Sequence, residues 1–239
     1  DPAVARLADE ARWVRVGQMT AFLEAVRASA VTDAVMAGQI SPTSLFRLRP
    51  DRAMFDLLAS LRERNAETIF GAVVAALARE GVRMHPASRF MERTMPEPGP
   101  IAHRPPDARE AADIDLGRRV AKATSGLEIG QTVVVKEGTV LAVEAFEGTD
   151  EAILRGGKLG GPGAVVVKTA KAGHDMRFDI PVVGLRTMKS LRRAGATTLA
   201  VEARRTILLE REALVVEADR MGLAFVAFEP EGNVKGGSA

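Results

Sequence analysis

The sequence predicts an α/β protein with two domains, and three observations support this. Apolar segments typical of strands alternate with segments of helical spacing on both sides of residues 95–106. That stretch, MPEPGPIAHRPP, holds five of the 12 prolines in the chain, a density that excludes a helix or an inner strand. The 239 residues are 46% hydrophobic and 27% charged, the composition of a globular protein. We therefore predict a βα domain, a proline-rich linker at 95–106 and a second α/β domain.

The first domain is predicted to span residues 1–94 as an incomplete Rossmann-like unit. Residues 11–17 and 32–38 have the apolar content of strands, and residues 18–29 between them have apolar residues at helical spacing. A strand, a helix and a strand in this order imply a parallel sheet. The other predicted elements are helices at 55–65 and 68–82, the second capped by Gly81, and a strand at 83–90.

The second domain is predicted to span residues 107–230 and to be followed by a loose tail at 231–239. Two short sequence motifs each occur twice in this domain. They are VVVK at 133–136 and 165–168, and LAVEA at 141–145 and 199–203. Their unequal spacing excludes a fixed-period repeat. Each LAVEA places a glutamate, Glu144 or Glu202, near the end of a strand. Open α/β sheets bind ligands beyond the carboxyl ends of their strands, so both positions are candidates for a site.

Composition excludes several classes of function. The absence of cysteine and the presence of only three histidines exclude disulfides, zinc thiolate sites and histidine-rich metal sites, so a metal would be held by oxygen. A net charge of +2 and 4% aromatic residues do not support nucleic-acid binding. The longest apolar run, residues 70–78, is too short to cross a bilayer, and we expect a cytoplasmic location.

Charged residues are concentrated in the stretch AVVVKTAKAGHDMRFDIPVVG, directly after an apolar strand. If residues 174–180 are extended, Asp175, Arg177 and Asp179 share one face, and the proline that follows ends the strand. An edge strand with a solvated charged face is one interpretation. A site for a polyanion or a metal ion is the other.

Six carboxylates of this domain are predicted at loops or strand ends: Glu144, Glu147, Asp150, Asp175, Asp179 and Glu202. Lysines and an arginine lie among them in the sequence. Carboxylates that hold magnesium, beside cations that neutralise phosphate, are what phosphate chemistry requires. Solvated surface acids are the alternative for some of the six. Thr149 has the simpler interpretation of a cap for a helix that begins at Asp150, and His174 that of a turn residue.

Three stretches carry a resemblance to a known family: VVVKTAKAGHDMRFDIPVVGLRTM, LAVEAFEGTDEAILR before it and AGATTLAVEARRTILLEREALVVEADRMGLAFVAF after it. They resemble the LpxI-type UDP-2,3-diacylglucosamine pyrophosphohydrolases of lipid A synthesis, and VGQMTAFLEAVRASAVTDAVMAGQISPTSLF is similar to the family's first domain. The resemblance implies domains that enclose the substrate, a requirement for magnesium, and cleavage to UMP and 2,3-diacylglucosamine 1-phosphate. Water would attack the phosphorus on the lipid sugar side. The family's opening strand and glycine-rich turn would precede Asp1, so we expect a fragment or an incomplete first domain.

The resemblance also implies roles for individual residues. It assigns catalysis to Asp179, Asp175 and Arg177, substrate binding to Lys168, Lys171, His174 and Thr149, and magnesium to Asp179, Asp175, Glu144, Glu147 and Asp150. Glu202 is a further magnesium candidate because it is a carboxylate at a strand end. His174 stands where relatives have glutamine, which leaves amide hydrogen bonding there open. The implied partners are a lipid-linked nucleotide sugar and the cytoplasmic face of the inner membrane, where the protein would be peripheral. A nucleic acid is not among them, and a homo-oligomer stays open.

Two functions of other classes stay open. A non-catalytic module for nucleotides or sugar phosphates would bind its ligand without needing magnesium. A nucleotide-sugar transferase would use magnesium, but it would pass the sugar or phosphate to an acceptor other than water. Analysis of the products separates these functions from hydrolysis.

Asp179 is the strongest catalytic candidate, because it follows Arg177 by two residues and directly precedes Ile180 and Pro181. Whether it binds magnesium or orients the attacking water, it acts mainly in the transition state. We predict that Asp179→Ala lowers kcat about 100-fold or more, while substrate affinity falls much less. Steady-state kinetics of the folded, magnesium-saturated variant on the diacylated substrate measure this. Turnover near wild type would exclude the assignment.

Overall fold

The computed structural model of the chain describes residues 2–38, 49–171, 175–177 and 180–230. The chain divides into two compact units, Asp1–Pro86 and Ala87–Ala239. The predicted linker therefore lies within the second unit. There Gly99–Pro100 pairs antiparallel with the last strand of the sheet, and an edge strand of this kind tolerates proline.

The described part of the first unit contains helices and two short parallel strands. Its elements are α1 (Pro2–Ala5), α2 (Met19–Ser29), β1 (Asp33–Val35), α3 (Arg52–Ala59), α4 (Ala66–Arg79) and β2 (Arg83–His85). Asp51 caps α3 by accepting the backbone N–H of Met54 at 2.8 Å, and Gly81, with φ +80°, follows the end of α4. β1 pairs in parallel with β2. A parallel pair was predicted between residues 11–17 and 32–38, and the structure instead has it between β1 and β2.

The predicted strand at residues 11–17 is wrong. Residues 11–15 have no regular structure, and a turn follows in which the Gln18 N–H donates to Arg15 O at 3.1 Å. Gly17 in this turn has φ +95°, a left-handed conformation that breaks an extended chain. Trp13 and Val16 of this segment are 72% and 52% exposed, which a strand packed on a core would not allow.

The second unit is built on a mixed six-stranded sheet. Its elements, after a 3₁₀ turn at Glu92–Thr94, are β3 (Gly99–Pro100), α5 (Ala108–Gly126), β4 (Thr132–Lys136), β5 (Thr139–Val143), α6 (Thr149–Gly160), β6 (Val165–Lys168), β7 (Val182–Val183), α7 (Leu185–Ala194), β8 (Thr198–Glu202), β9 (Ile207–Leu208), α8 (Arg211–Met221) and β10 (Ala224–Phe228). The strand order is β3-β10-β8-β6-β4-β5. β6, β8 and β10 are parallel, whereas β4 is antiparallel to β6 and β5 to β4. β7 and β9 form a separate parallel pair.

The predicted extended segment at 174–180 is also wrong in its described part, where Met176 and Arg177 form a turn. The Asp175 carboxylate accepts the Arg177 backbone N–H at 3.0 Å and its side-chain Nη2 at 2.6 Å. A short acidic side chain that bonds the backbone two residues on favours a turn over a strand. Pro181 accordingly precedes β7 and does not end a strand.

Helices cover both faces of this sheet. Alternate strand residues point to opposite faces, so Val133, Val135, Val165 and Val167 pack beside α5, and Val134, Val166, Leu199 and Val201 face the opposite core with α6, α7 and α8. Glycines bring the helices close. A Cβ on Gly117 of α5 would lie 2.5 Å from Val167 Cγ2, and one on Gly156 of α6 would lie 2.6 Å from Val134 Cγ1. These two contacts therefore fix the distance of α5 and of α6 from the sheet.

The start of α5 is fixed by a buried carboxylate. Asp107 and Glu110 form a reciprocal capping box, and Arg104 donates to both oxygens of Glu110 at 3.0 and 2.6 Å. Arg104 also donates to Gly222 O and Thr197 O, so this cluster joins α5 to the amino end of β8. Burial raises the pKa of Glu110, but the bonds from Arg104 and from the Asp107 N–H outweigh it and lower the pKa to about 2.

No helix in the described residues is long and apolar enough to span a membrane.

The low pKa of Glu110 gives a pH dependence with a defined sign. Because the pKa is about 2 in the fold against an ordinary 4.5, the carboxylate stabilises the fold above pH 4.5, and this contribution is lost as the pH falls toward 2. We predict that the difference in unfolding free energy between wild type and Glu110→Gln shrinks by about 2 kcal/mol from about pH 6 to about pH 3. Urea unfolding at several pH values measures it. A difference that stays constant with pH would contradict the prediction.

Candidate active site

The sheet brings several predicted site residues to one edge. β6 and β8 are parallel, with Lys168 paired to Val201, so Lys168 and Glu202 lie at the ends of neighbouring strands. β5 is related to β6 by two antiparallel steps and runs the same way, which places Glu144, directly after β5, at the same edge. We call this the carboxyl edge. Open α/β sheets bind their ligands at such an edge.

A buried hydrogen-bonded chain lies at the carboxyl edge. Lys168 is only 4% exposed, and its Nζ donates to Thr149 Oγ1 at 2.7 Å. The Thr149 hydroxyl donates in turn to Glu144 Oε1 at 2.8 Å. The relay Lys168–Thr149–Glu144 therefore joins β6, the start of α6 and the end of β5.

Thr149 is not the helix cap that its position in the sequence suggests. α6 begins at Thr149 itself, the N-cap is Gly148 with φ +85°, and no side chain caps the helix. The threonine hydroxyl instead bridges a cation and a carboxylate. The capping interpretation is wrong. The Thr149 hydroxyl lies beside Lys168, and substrate binding by these two residues stays a prediction.

Glu144 has one oxygen that its neighbours leave unsatisfied. The residue is 8% exposed, its Oε1 accepts from Thr149, and its buried Oε2 has no hydrogen-bond partner among the residues that the structure describes. The Glu144 backbone is fixed, because its N–H donates to Thr132 O at 2.8 Å and a Cβ on Gly130 would lie 2.1 Å from Glu144 O. A buried carboxylate oxygen without a hydrogen-bond donor is rare in proteins. Such an oxygen can accept a hydrogen bond or bind a cation.

Glu202 is fully buried and is engaged by a lysine that sequence reasoning missed. Lys122 of α5 places its Nζ 2.8 and 2.7 Å from the two Glu202 oxygens. Glu202 Oε2 also accepts the backbone N–H of Ala170 at 2.7 Å. Lys122 is 80 positions away from Glu202 in the chain, and no local pattern marks it as a partner.

Two other predicted metal ligands face arginines. Arg155 Nη2 lies 2.6 Å from Glu147 Oε1 and lowers the pKa of Glu147 by its hydrogen bond. Arg186 Nε lies 2.5 Å from Asp150, which also accepts from Ser190 Oγ at 3.0 Å. Both arginines are substantially exposed, so these pairs contribute little to stability.

Two further charged pairs involve residues of the segment that follows β6. Lys171 forms an ion pair with Glu128. Asp175 binds Arg177 through both side-chain oxygens, and this hydrogen bonding raises the pKa of the arginine. Both acids and both bases are partly exposed.

Two predicted site residues, His174 and Asp179, lie outside the described residues. In the described ranges, no group of three or more His, Asp or Glu side chains is arranged to hold a metal ion. Glu147, Asp150 and Glu202 each have a basic partner there, whereas Glu144 keeps its unsatisfied oxygen. Magnesium stays a prediction at this point.

Family models match both parts of the chain. The LpxI N-terminal domain matches residues 1–94, and the LpxI C-terminal domain matches residues 97–226. The chain belongs to the LpxI family. The UDP-2,3-diacylglucosamine pyrophosphatase LpxI of Caulobacter vibrioides is 32% identical over 232 residues, which cover 91% of this chain and 82% of that protein. The predicted family and the two-domain α/β fold are confirmed, and the carboxyl edge lies in the LpxI C-terminal domain.

The relay makes the Thr149 hydroxyl a structural requirement. Thr149→Val keeps the shape of the side chain but removes a donor to Glu144 and an acceptor for Lys168. We predict that it lowers the free energy of unfolding by about 1–3 kcal/mol. The control Thr149→Ser keeps the hydroxyl and should stay within about 0.5 kcal/mol of wild type. Urea unfolding measures both, and equal stability of the two variants would contradict the relay.

Proposed function

We propose that this chain hydrolyses the diphosphate of UDP-2,3-diacylglucosamine to UMP and 2,3-diacylglucosamine 1-phosphate, a step of lipid A synthesis. Its membership of the LpxI family and the activity in the name of the C. vibrioides relative support this. The structural observation that carries the proposal is the relay Lys168–Thr149–Glu144, which holds a buried cation at the carboxyl edge.

Lys168 is the phosphate-binding group of the proposal. A diphosphate needs positive charge, and a cation in a water-poor site acts on it more strongly than one in bulk solvent. Thr149 Oγ1 accepts a hydrogen bond from the Lys168 ammonium, which has three donors. The threonine hydroxyl in turn donates to Glu144, and this bond fixes its orientation. The ammonium is therefore oriented before substrate arrives.

Magnesium is part of the proposal. Glu144 fits such an ion, because its buried Oε2 has no hydrogen-bond partner in the described part of the chain. Asp175 and Asp179 are the further candidates for holding it, since magnesium in phosphate sites is bound by one or two carboxylates together with the substrate. The bound ion would neutralise diphosphate charge and activate water. Asp179 remains the residue proposed to orient that water.

The substrate class also suggests where the protein works. A diacylated sugar lies in a membrane, so we propose a cytoplasmic protein that is peripheral to the inner membrane. Leu127 and Ile129, in the loop before β4, and Phe146, in the loop after β5, are 72%, 46% and 57% exposed. Both loops lie at the carboxyl edge. Exposed apolar residues beside a site are suited to contact acyl chains.

The direct test is incubation of the chain with UDP-2,3-diacylglucosamine, with and without magnesium. We predict that UMP appears with magnesium and that a chelator abolishes its release. UDP-glucosamine, which lacks the acyl chains, should be cleaved less efficiently. Binding without cleavage would indicate a binding module, and transfer to an acceptor other than water would indicate a transferase; either result would contradict the proposal.

Lys168→Met tests the phosphate-binding role. Methionine keeps most of the volume of the buried side chain and removes its charge. We predict a Michaelis constant raised at least about tenfold, with a smaller change in kcat, because the lysine binds phosphate in the ground state. Lys136→Met is the control, since Lys136 ends β4 at the opposite edge and donates to Gly160 O. Equal Michaelis constants for the two variants would contradict the role.

A further inference from the structure

We propose that Glu202 and Lys122 are positioning residues that fix the backbone at Ala170 and thereby place Lys168 and Lys171 against the diphosphate. The inference rests on the proposed function, because it concerns the lysines that would bind the phosphates. It gives Glu202 a role other than metal binding.

The two side chains hold both polar groups of Ala170. The Ala170 N–H donates to Glu202 Oε2 at 2.7 Å, and Ala170 O accepts from Lys122 Nζ at 2.6 Å. Lys122 and Glu202 also bind each other, which closes the arrangement. Ala170 and Glu202 are completely buried, and the Lys122 side chain is 14% exposed. The orientation of this residue is thus set by charge-assisted bonds, which are stronger than bonds between neutral groups.

These bonds begin where the sheet ladder stops. The pairing of β6 with β8 ends at Lys168 and Val201. Beyond it, the Thr169 N–H donates to Gln131 O at 3.0 Å, and the next N–H, that of Ala170, goes to the Glu202 carboxylate. Glu202 therefore takes the place of a strand partner at Ala170, the second residue after β6. The chain leaves the strand along a fixed path to Lys171.

Stability alone does not explain the pair. Removing two charges from water costs several kcal/mol per ion, and apolar residues of equal volume often stabilise a core at least as well. The carboxylate of Glu202 and the ammonium of Lys122 supply the acceptor and the donor that the Ala170 N–H and C=O need. The pair lies next to Lys168 in the fold, where the position of the backbone determines how well the lysine can reach a phosphate.

The helix α5 supplies both this pair and a matched control. Gly117 brings α5 against Val167, and Lys122, about 7.5 Å further along the helix, reaches the carboxyl edge. Glu110 lies about 18 Å from Lys122 on the same helix, and its ion pair with Arg104 joins the amino end of β8. Each of the two ion pairs therefore includes a residue of α5. The Lys122–Glu202 pair lies at the carboxyl edge of the sheet, and the Arg104–Glu110 pair lies at the opposite edge.

The experiment compares Glu202→Gln with Glu110→Gln in the full chain. Kinetics with UDP-2,3-diacylglucosamine and magnesium are measured at a temperature where both variants are folded. We expect the Michaelis constant to rise at least tenfold for Glu202→Gln with kcat within threefold, and to stay within twofold for Glu110→Gln. Amide hydrogen exchange of the free protein should become at least tenfold faster at residues 169–171 in Glu202→Gln only.

The result that overturns the inference is a folded Glu202→Gln whose Michaelis constant stays within twofold of wild type, or whose exchange at 169–171 is unchanged. If Glu202→Gln does not fold, the double variant Lys122→Met with Glu202→Gln removes both charges together and takes its place, with the same expectations. A wild-type chain that releases no UMP refutes the proposed function; the exchange data, which need no substrate, then decide whether Glu202 and Lys122 hold Ala170.

Discussion

The parallel pairing of β6 with β8 is the constraint on which the rest of the second unit depends. The four residue pairs from Val165–Thr198 to Lys168–Val201 are almost entirely buried. This pairing fixes where two neighbouring strands end, and therefore where Lys168 and Glu202 lie. Helices on both faces hold the pair in place, and the glycines of α5 and α6 allow those helices to approach the strands closely.

Charge at the end of these strands is arranged in two layers. The inner layer is buried and consists of Lys168 with Thr149 and Glu144, and of Lys122 with Glu202. The outer layer consists of partly exposed pairs such as those of Asp150 and Glu147 with arginines. Among the described residues, the buried Lys168 acts more strongly on a bound phosphate than the charges of the outer layer, because solvent screens the exposed pairs.

Much of the fold could be predicted from local sequence patterns. The apolar motifs VVVK and LAVEA contribute to strands, and the glutamate within each LAVEA, Glu144 or Glu202, lies at the carboxyl edge. The prediction was wrong at residues 11–17, where Gly17 turns the chain, and at Asp175–Arg177, where side chain and backbone bond locally. Alternation of apolar and charged residues is a local signal, and it does not show whether a sheet neighbour exists.

The site could be predicted only in part, for the same reason. Glu202 was predicted as a metal ligand without reference to Lys122. The sequence does not show that this lysine, on a helix far earlier in the chain, forms an ion pair with Glu202. Thr149 was interpreted as a helix cap from its position in the sequence alone. Its contact with Lys168 depends on the pairing of three strands, which the local sequence does not show. Charged partners across a sheet are determined by strand order, which the local sequence does not encode.

Hydrolysis of the diphosphate by this chain can be followed through the oxygen atom of the attacking water. UDP-2,3-diacylglucosamine is cleaved by the chain in water labelled with heavy oxygen, and both products are analysed by mass spectrometry. We expect one labelled oxygen in 2,3-diacylglucosamine 1-phosphate and none in UMP, because we propose that water attacks the phosphorus on the lipid sugar side. Label in UMP, or UMP release without label in either product, would contradict it.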